Sequence, residues 1–129
     1  MIGDSFKLLI QLETIVEEKV RKMTVLLIWT WVVKPEKQRE HKRLLTRFQE
    51  YVKKNPKTFK ELKSMRFFTQ TFGGISGAYV EHAEFESLSG LASCLARASK
   101  DKGYIKIDQE WMSLLDPATL TSNLYTVVT

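Results

Sequence analysis

The stretch TVLLIWTWVV, residues 24–33, restricts the fold more than any other part of the chain. Its β-branched and aromatic content reads as a strand. A strand with one face in water alternates apolar and polar residues. Here both parities are apolar: Val25, Leu27, Trp29, Trp31 and Val33 on one face, Leu26, Ile28, Thr30 and Val32 on the other. Such a strand is central and covered on both sides. Helices supply one cover, and the second has to come from elsewhere. The same stretch holds the longest apolar run of the chain. It falls well short of the roughly 20 residues that span a bilayer, so no membrane partner is expected.

Periodicity arranges the rest around this strand. Residues 5–22 read as a helix capped by Asp4 or Ser5, with Leu8, Leu9, Leu12, Ile15, Val16 and Val20 on its apolar side. Asp4, Lys7, Gln11 and Glu13 interrupt it, which does not suit a signal peptide. Pro35 opens a helix to about Lys54, with Leu44, Leu45, Phe48, Tyr51 and Val52 in one stripe. Asn55-Pro56 breaks it, and 57–63 adds a short helical piece anchored by Phe59 and Leu62. Strands follow at 65–72 and 78–85. Ser87 caps a helix carrying Leu88, Leu91, Ala92, Leu95 and Ala98. Another helical stretch covers 104–115 with Ile107, Trp111, Leu114 and Leu115, Asp116-Pro117 ends it, and 122–128 is a last strand.

From Met23 the order is β-α-β-β-α-β, the ferredoxin-like α+β arrangement: a four-stranded antiparallel sheet with helices on one face. With 129 residues the chain fits one such domain, 23–129. Residues 1–22 are then an added helical arm or an upstream extension.

Between the middle strands lies FGGISGA, residues 72–78. It lacks the lysine of a Walker loop, and it joins two strands, whereas a dinucleotide loop joins a strand to a helix. Three glycines in five residues predict a hairpin connection with positive-φ positions. No cofactor is expected.

Charge is uneven. Residues 34–66 hold 12 Lys/Arg and 4 Asp/Glu, hence +8. Residues 67–129 hold 4 and 7, hence −3, and residues 1–33 balance, which gives the net +5. The series Lys53, Lys54, Lys57, Lys60 and Lys63 is a solvated face or a polyanion-binding patch, and nucleic-acid binding through 34–66 is the sharper alternative. One cysteine, Cys94, excludes an internal disulfide and suits the reducing cytoplasm. It falls on the apolar side of its helix and is expected to be a buried thiol.

The stretches TVLLIWTWVVKPEKQREH, GGISGAYVEHAEFESLSGLASCL and EWMSLLDPATLTSNLYTVV, spread over residues 23–129, resemble the dimeric α/β-barrel superfamily. That superfamily includes NIPSNAP-type, EthD-like and antibiotic-biosynthesis monooxygenase-type proteins. The resemblance implies a homodimer in which two sheets close a barrel, the missing second cover. It also implies a cavity for a small hydrophobic or aromatic molecule, and an activity of the cofactor-free oxygenase or isomerase kind. The Asn, His, Trp or Tyr constellations of active relatives do not map onto positions here, so no catalytic residue is carried over. A filled barrel serving only interaction is the alternative. An RNA-recognition module shares the topology, but Gly77-Ala78-Tyr79-Val80 echoes its third strand only in part, and Glu81 and Glu84 place negative charge where RNA would lie.

Seven side chains have chemical potential in this setting. If Leu26, Ile28, Ala78 and Val80 face the helices, then Trp29, Trp31, Tyr79 and Glu81 line the barrel. Glu81 is then a possible general base if desolvation raises its pKa. The blander reading is that these rings fill a core. His41 shares the apolar stripe of the first helix and either looks into a pocket or is a satisfied core histidine. The opposite facing puts His82 and Glu84 inside. Those two are too few for a metal site, and no third ligand is identifiable.

Overall fold

The computed structural model describes residues 11–12 and 17–128. β1 (Val25–Val33) leads through a 3-10 turn, Pro35–Lys37, into α1 (Gln38–Lys54). Then come β2 (Leu62–Thr69), β3 (Tyr79–Phe85), α2 (Leu88–Ala98), α3 (Lys102–Leu114) and β4 (Leu115–Thr126). The sheet order is β2-β3-β1-β4, with every neighbouring pair antiparallel. This is the ferredoxin-like α+β fold, with β1 central as its composition demanded. Most of the expected 5–22 helix lies outside the described residues. Within them, Glu18–Arg21 is one helical turn, and Glu17 ahead of it has extended backbone, so that helix is not continuous.

Residues 25, 27, 29, 31 and 33 of β1 are buried in one core with Leu44 and Phe48 of α1, Leu91 of α2, and Ile107 and Trp111 of α3. The intervening residues of β1 are half-buried. This corrects the assumption that Leu26, Ile28 and Val80 face the helices. The bulky rings go under the helices, where Trp31 meets Trp111 edge-on at 5.3 Å and Phe67 meets Phe48 at 6.3 Å. Ala78, before β3, is fully buried.

Three boundaries also differ from expectation. β2 starts at Leu62, not 65, because Leu62 pairs with Phe85 and a register shift precedes Ser64. Residues 56–61 are turns, closed by Thr58 N–H and Phe59 N–H donating to Asn55 O, and Phe59 still anchors them in the core. β4 begins directly after α3 and contains Pro117. An edge strand tolerates a missing N–H on its outer side. Between the pairs Thr30↔Thr121 and Val32↔Asp116, one residue of β1 faces residues 117–120 of β4. Thr119 Oγ1 fills this bulge, accepting from Val32 N–H at 2.9 Å and donating to Asp116 O at 2.6 Å.

The glycine loop is a hairpin. Gln70 N–H donates to Ala78 O, Gly77 N–H donates back to Gln70 O, and Gly73, Gly74 and Gly77 have φ of 79°, 51° and 84°. The helix caps are local. Ser87 Oγ accepts from Gly90 N–H at 2.9 Å, and Asp101 Oδ1 accepts from Gly103 and Tyr104 N–H.

Candidate functional site

Between sheet and helices lies an apolar cavity of about 60 Å³. Its floor is Leu27, Trp29, Glu81, Ala83 and Phe85 of the sheet, and its walls include Phe48 of α1, Cys94 of α2, and Tyr104 and Trp111 of α3. Two larger grooves, of about 480 and 300 Å³, are open, charged surface features and enclose nothing. The apolar and less open one is the candidate, although it is smaller than the 300–1,000 Å³ usual for organic ligands.

Glu81 is the anomaly in this cavity. Its neighbours across the sheet are Trp29 on β1 and Phe67 on β2. It is 7% exposed, in a wall of carbon. Burial, and then the negative charge of Asp108, push its carboxyl up to about 8. The same burial raises the Cys94 thiol to about 12 and lifts Tyr104 well above the ordinary phenol value. At neutral pH these three side chains are therefore neutral. Trp111, also lining it, keeps its indole N–H buried with no partner among the described residues.

His41, Trp31 and Tyr79 form a separate cluster towards the other end of the sheet. Trp31 Nε1–H donates to His41 Nε2 at 2.9 Å. An indole N–H can only donate, so the imidazole proton sits on Nδ1, which finds no partner among the described residues. Tyr79 stacks on Trp31 at 6.3 Å, lies 4.4 Å from His41 ring to ring, and donates to Gln38 Oε1. Burial lowers His41 to about 4, so it stays neutral.

The structure thus brings Trp29 and Glu81 to one cavity under the helices and gathers Trp31, His41 and Tyr79 in a packed cluster beside it. His82 and Glu84 lie on the opposite sheet face. There His82 touches the Phe68 ring at 4.8 Å and Glu84 pairs across the sheet with Leu26 and Ser64. Among the described residues no group of three or more His, Cys, Asp or Glu is arranged to hold a metal. Sequence reasoning missed Tyr104, Asp108 and Trp111. Their 0, 4, 7 spacing on one helix was the available signal.

No protein-family model matches the chain, and neither does any curated protein sequence. Solved structures do. A putative antibiotic biosynthesis monooxygenase from Caulobacter crescentus aligns with a TM-score of 0.67 and 13% identity, covering 88% of this chain and 97% of that one. A NIPSNAP family protein from Agrobacterium tumefaciens aligns with a TM-score of 0.64 and 11% identity, covering 82% and 87%. A cofactor-independent oxygenase from Streptomyces nogalater aligns with a TM-score of 0.56 and 14% identity, covering 82% and 94%. The chain shares the ferredoxin-like α/β fold of NIPSNAP and monooxygenase-type proteins. No helix among the described residues is long and apolar enough to cross a membrane.

Proposed function

We propose that the chain is a homodimeric α/β-barrel protein that holds a small, mostly apolar organic molecule between its helices and its sheet. The observation that carries this reading is Glu81, a buried carboxyl in an apolar cavity with Asp108 beside it. A buried ionisable group in an apolar wall lowers stability, and groups with strongly displaced titration concentrate where a protein acts on a ligand. The dimer is supported by the half-buried apolar face of Leu26, Ile28 and Val80, with Phe68 and Tyr125 37% and 52% exposed. Residues 23–129 form the barrel unit in this reading. The likeness to a cofactor-independent oxygenase and a putative monooxygenase makes a cofactor-free oxygenase the first activity to assay.

A screen of small aromatic and alicyclic molecules, read by tryptophan fluorescence from Trp29 and Trp111, tests the reading. Hits are expected in the wild type and absent in Glu81→Leu, while that variant stays folded and light scattering gives twice the chain mass. Equal hits in both variants, or none in either, sink it. A filled interaction module is the second reading, and the small size of the cavity favours it. A dimer with no ligand in the screen would establish that one.

A further inference from the structure

The outer side of α1 concentrates positive charge, away from the cavity. Arg39, Lys42, Arg43, Lys53 and Lys54 are exposed, and among the described residues none of them has an ion pair. Glu40 is held by Lys37, which leaves Glu50 as the one acid of α1 without an ion pair among the described residues. Arg39, Arg43, Glu50 and Lys54 recur at helical spacing and form the outermost row, with Lys42 and Lys53 beside it. From residue 39 to residue 54 the row is about 22 Å long, the length of about six base steps of a nucleic acid. A protein interface is built around aromatic and apolar anchors, and a helix lying on a lipid surface buries an apolar face in it. The apolar side chains of α1 are not free for either: Leu44 and Phe48 are in the core, and Leu45, Tyr51 and Val52 pack against it. An unpaired nucleic-acid strand stacks its bases on aromatic rings, and this row has none. A duplex needs only cations for its phosphates.

We propose that the outer row of α1 binds the phosphate backbone of duplex DNA without reading its sequence. Each cation neutralises a phosphate and releases counter-ions condensed on the duplex. Glu50, inside the row, opposes the same contact. In the proposed dimer the two sheets face each other, so the α1 rows of both copies stay on the outside.

A fluorescein-labelled DNA duplex of about 20 base pairs, titrated with the full chain and followed by anisotropy, tests the inference. With about four phosphates contacted, affinity should fall about 150-fold between 50 and 200 mM salt. Arg43→Gln combined with Lys54→Gln should weaken binding about tenfold or more at the lower salt, and reduce the slope of log affinity against log salt by about two. Glu50→Gln should tighten binding about threefold, a gain that a loss of folding cannot produce. Lys19→Gln, an exposed cation off the row, should leave it unchanged. Binding that is absent at the lower salt, unmoved in the Arg43 and Lys54 double variant, or as tight to the unpaired strand overturns the inference. Tighter binding to vesicles of phosphatidylserine and phosphatidylcholine, or to an oligoglutamate peptide, also overturns it and makes the row a lipid or a protein contact.

Discussion

His41 and Glu81 are buried against the same face of one sheet, at 0% and 7% exposure, and the chain treats them differently. His41 receives a hydrogen bond from Trp31 and is wedged against Tyr79. Packing and one good bond hold its ring, while its Nδ1–H finds no partner among the described residues. Glu81 has Trp29 and Phe67 beside it and the charge of Asp108 facing it. The first region resembles a core that happens to contain an imidazole. The second is a carboxyl set in the apolar lining of a small cavity. Polar burial alone does not mark a site; a buried carboxyl displaced strongly upward in the lining of a cavity is the sharper signal.

His41→Ala tests the first half of this comparison and carries the largest expected effect. It removes a fully buried ring and orphans the Trp31 N–H, for an expected loss of about 3–4 kcal/mol in urea unfolding. A loss below about 1 kcal/mol would mean that the cluster does not hold the core together. Glu81→Leu should act with the opposite sign. At pH 7 the unfolded chain has released a proton that folded Glu81 retains, so the substitution should gain on the order of 3 kcal/mol. A destabilised Glu81→Leu breaks the comparison.

The two groups also predict the shape of the pH profile. Folded Glu81 titrates at about 8 instead of 4.5, so its contribution is whole below pH 4.5 and is lost as pH rises towards 8. Folded His41 titrates at about 4 instead of 6.5, so the unfolded chain gains a proton first, and stability is lost as pH falls from 6.5 towards 4. Between 4.5 and 6.5 the two slopes cancel, and above 6.5 the Glu81 slope stands alone, worth about 2 kcal/mol by pH 8. Chemical denaturation across pH 4–9 should show this plateau, and Glu81→Gln should flatten its alkaline arm. A wild type whose stability climbs between pH 6.5 and 8 contradicts the assignment.

The smallest effect concerns the helices that wall both regions. Gly to Ala within a helix ordinarily gains about 0.5–1 kcal/mol. At Gly103 of α3 a Cβ would come 2.7 Å from the Tyr51 hydroxyl of α1, which donates to Asp101. Gly103→Ala should therefore lose about 1 kcal/mol in thermal melts. A gain would show that α1 and α3 can shift apart at little cost, and that the chamber can widen.

Much of the fold was legible in particular residues. The doubly apolar β1, the Ser87 cap, the stripe through His41, Leu44 and Phe48, and the glycine hairpin follow from local rules. The start of β2 did not, because Leu62-Lys63-Ser64 pairs only through a register shift and Phe72, read as strand, is 94% exposed in the loop. Pro117 misled for a related reason: only its position at the sheet edge makes it harmless. For the site, parity grouped Trp29 and Trp31 on β1, and Tyr79 and Glu81 on β3. A strand apolar on both faces could not say which face met the helices. The setting of Glu81 also depends on the rotation of α3 that brings Asp108 and Trp111 over β3, a tertiary fact without a local signature.

The bulge in β4 has a consequence for how copies of this chain can meet. Pro117 and the looped-out residues 117–120 deform one rim of the sheet, so an incoming strand finds no regular row of donors and acceptors there. The other rim, β2, carries Lys63 and Arg66, whose like charges oppose a second β2 laid alongside. Strand-by-strand fibrillar growth is hindered at both rims. In the proposed dimer the broad face of Leu26, Ile28 and Val80 takes the second copy, a pairing that closes on itself without starting a chain of further additions.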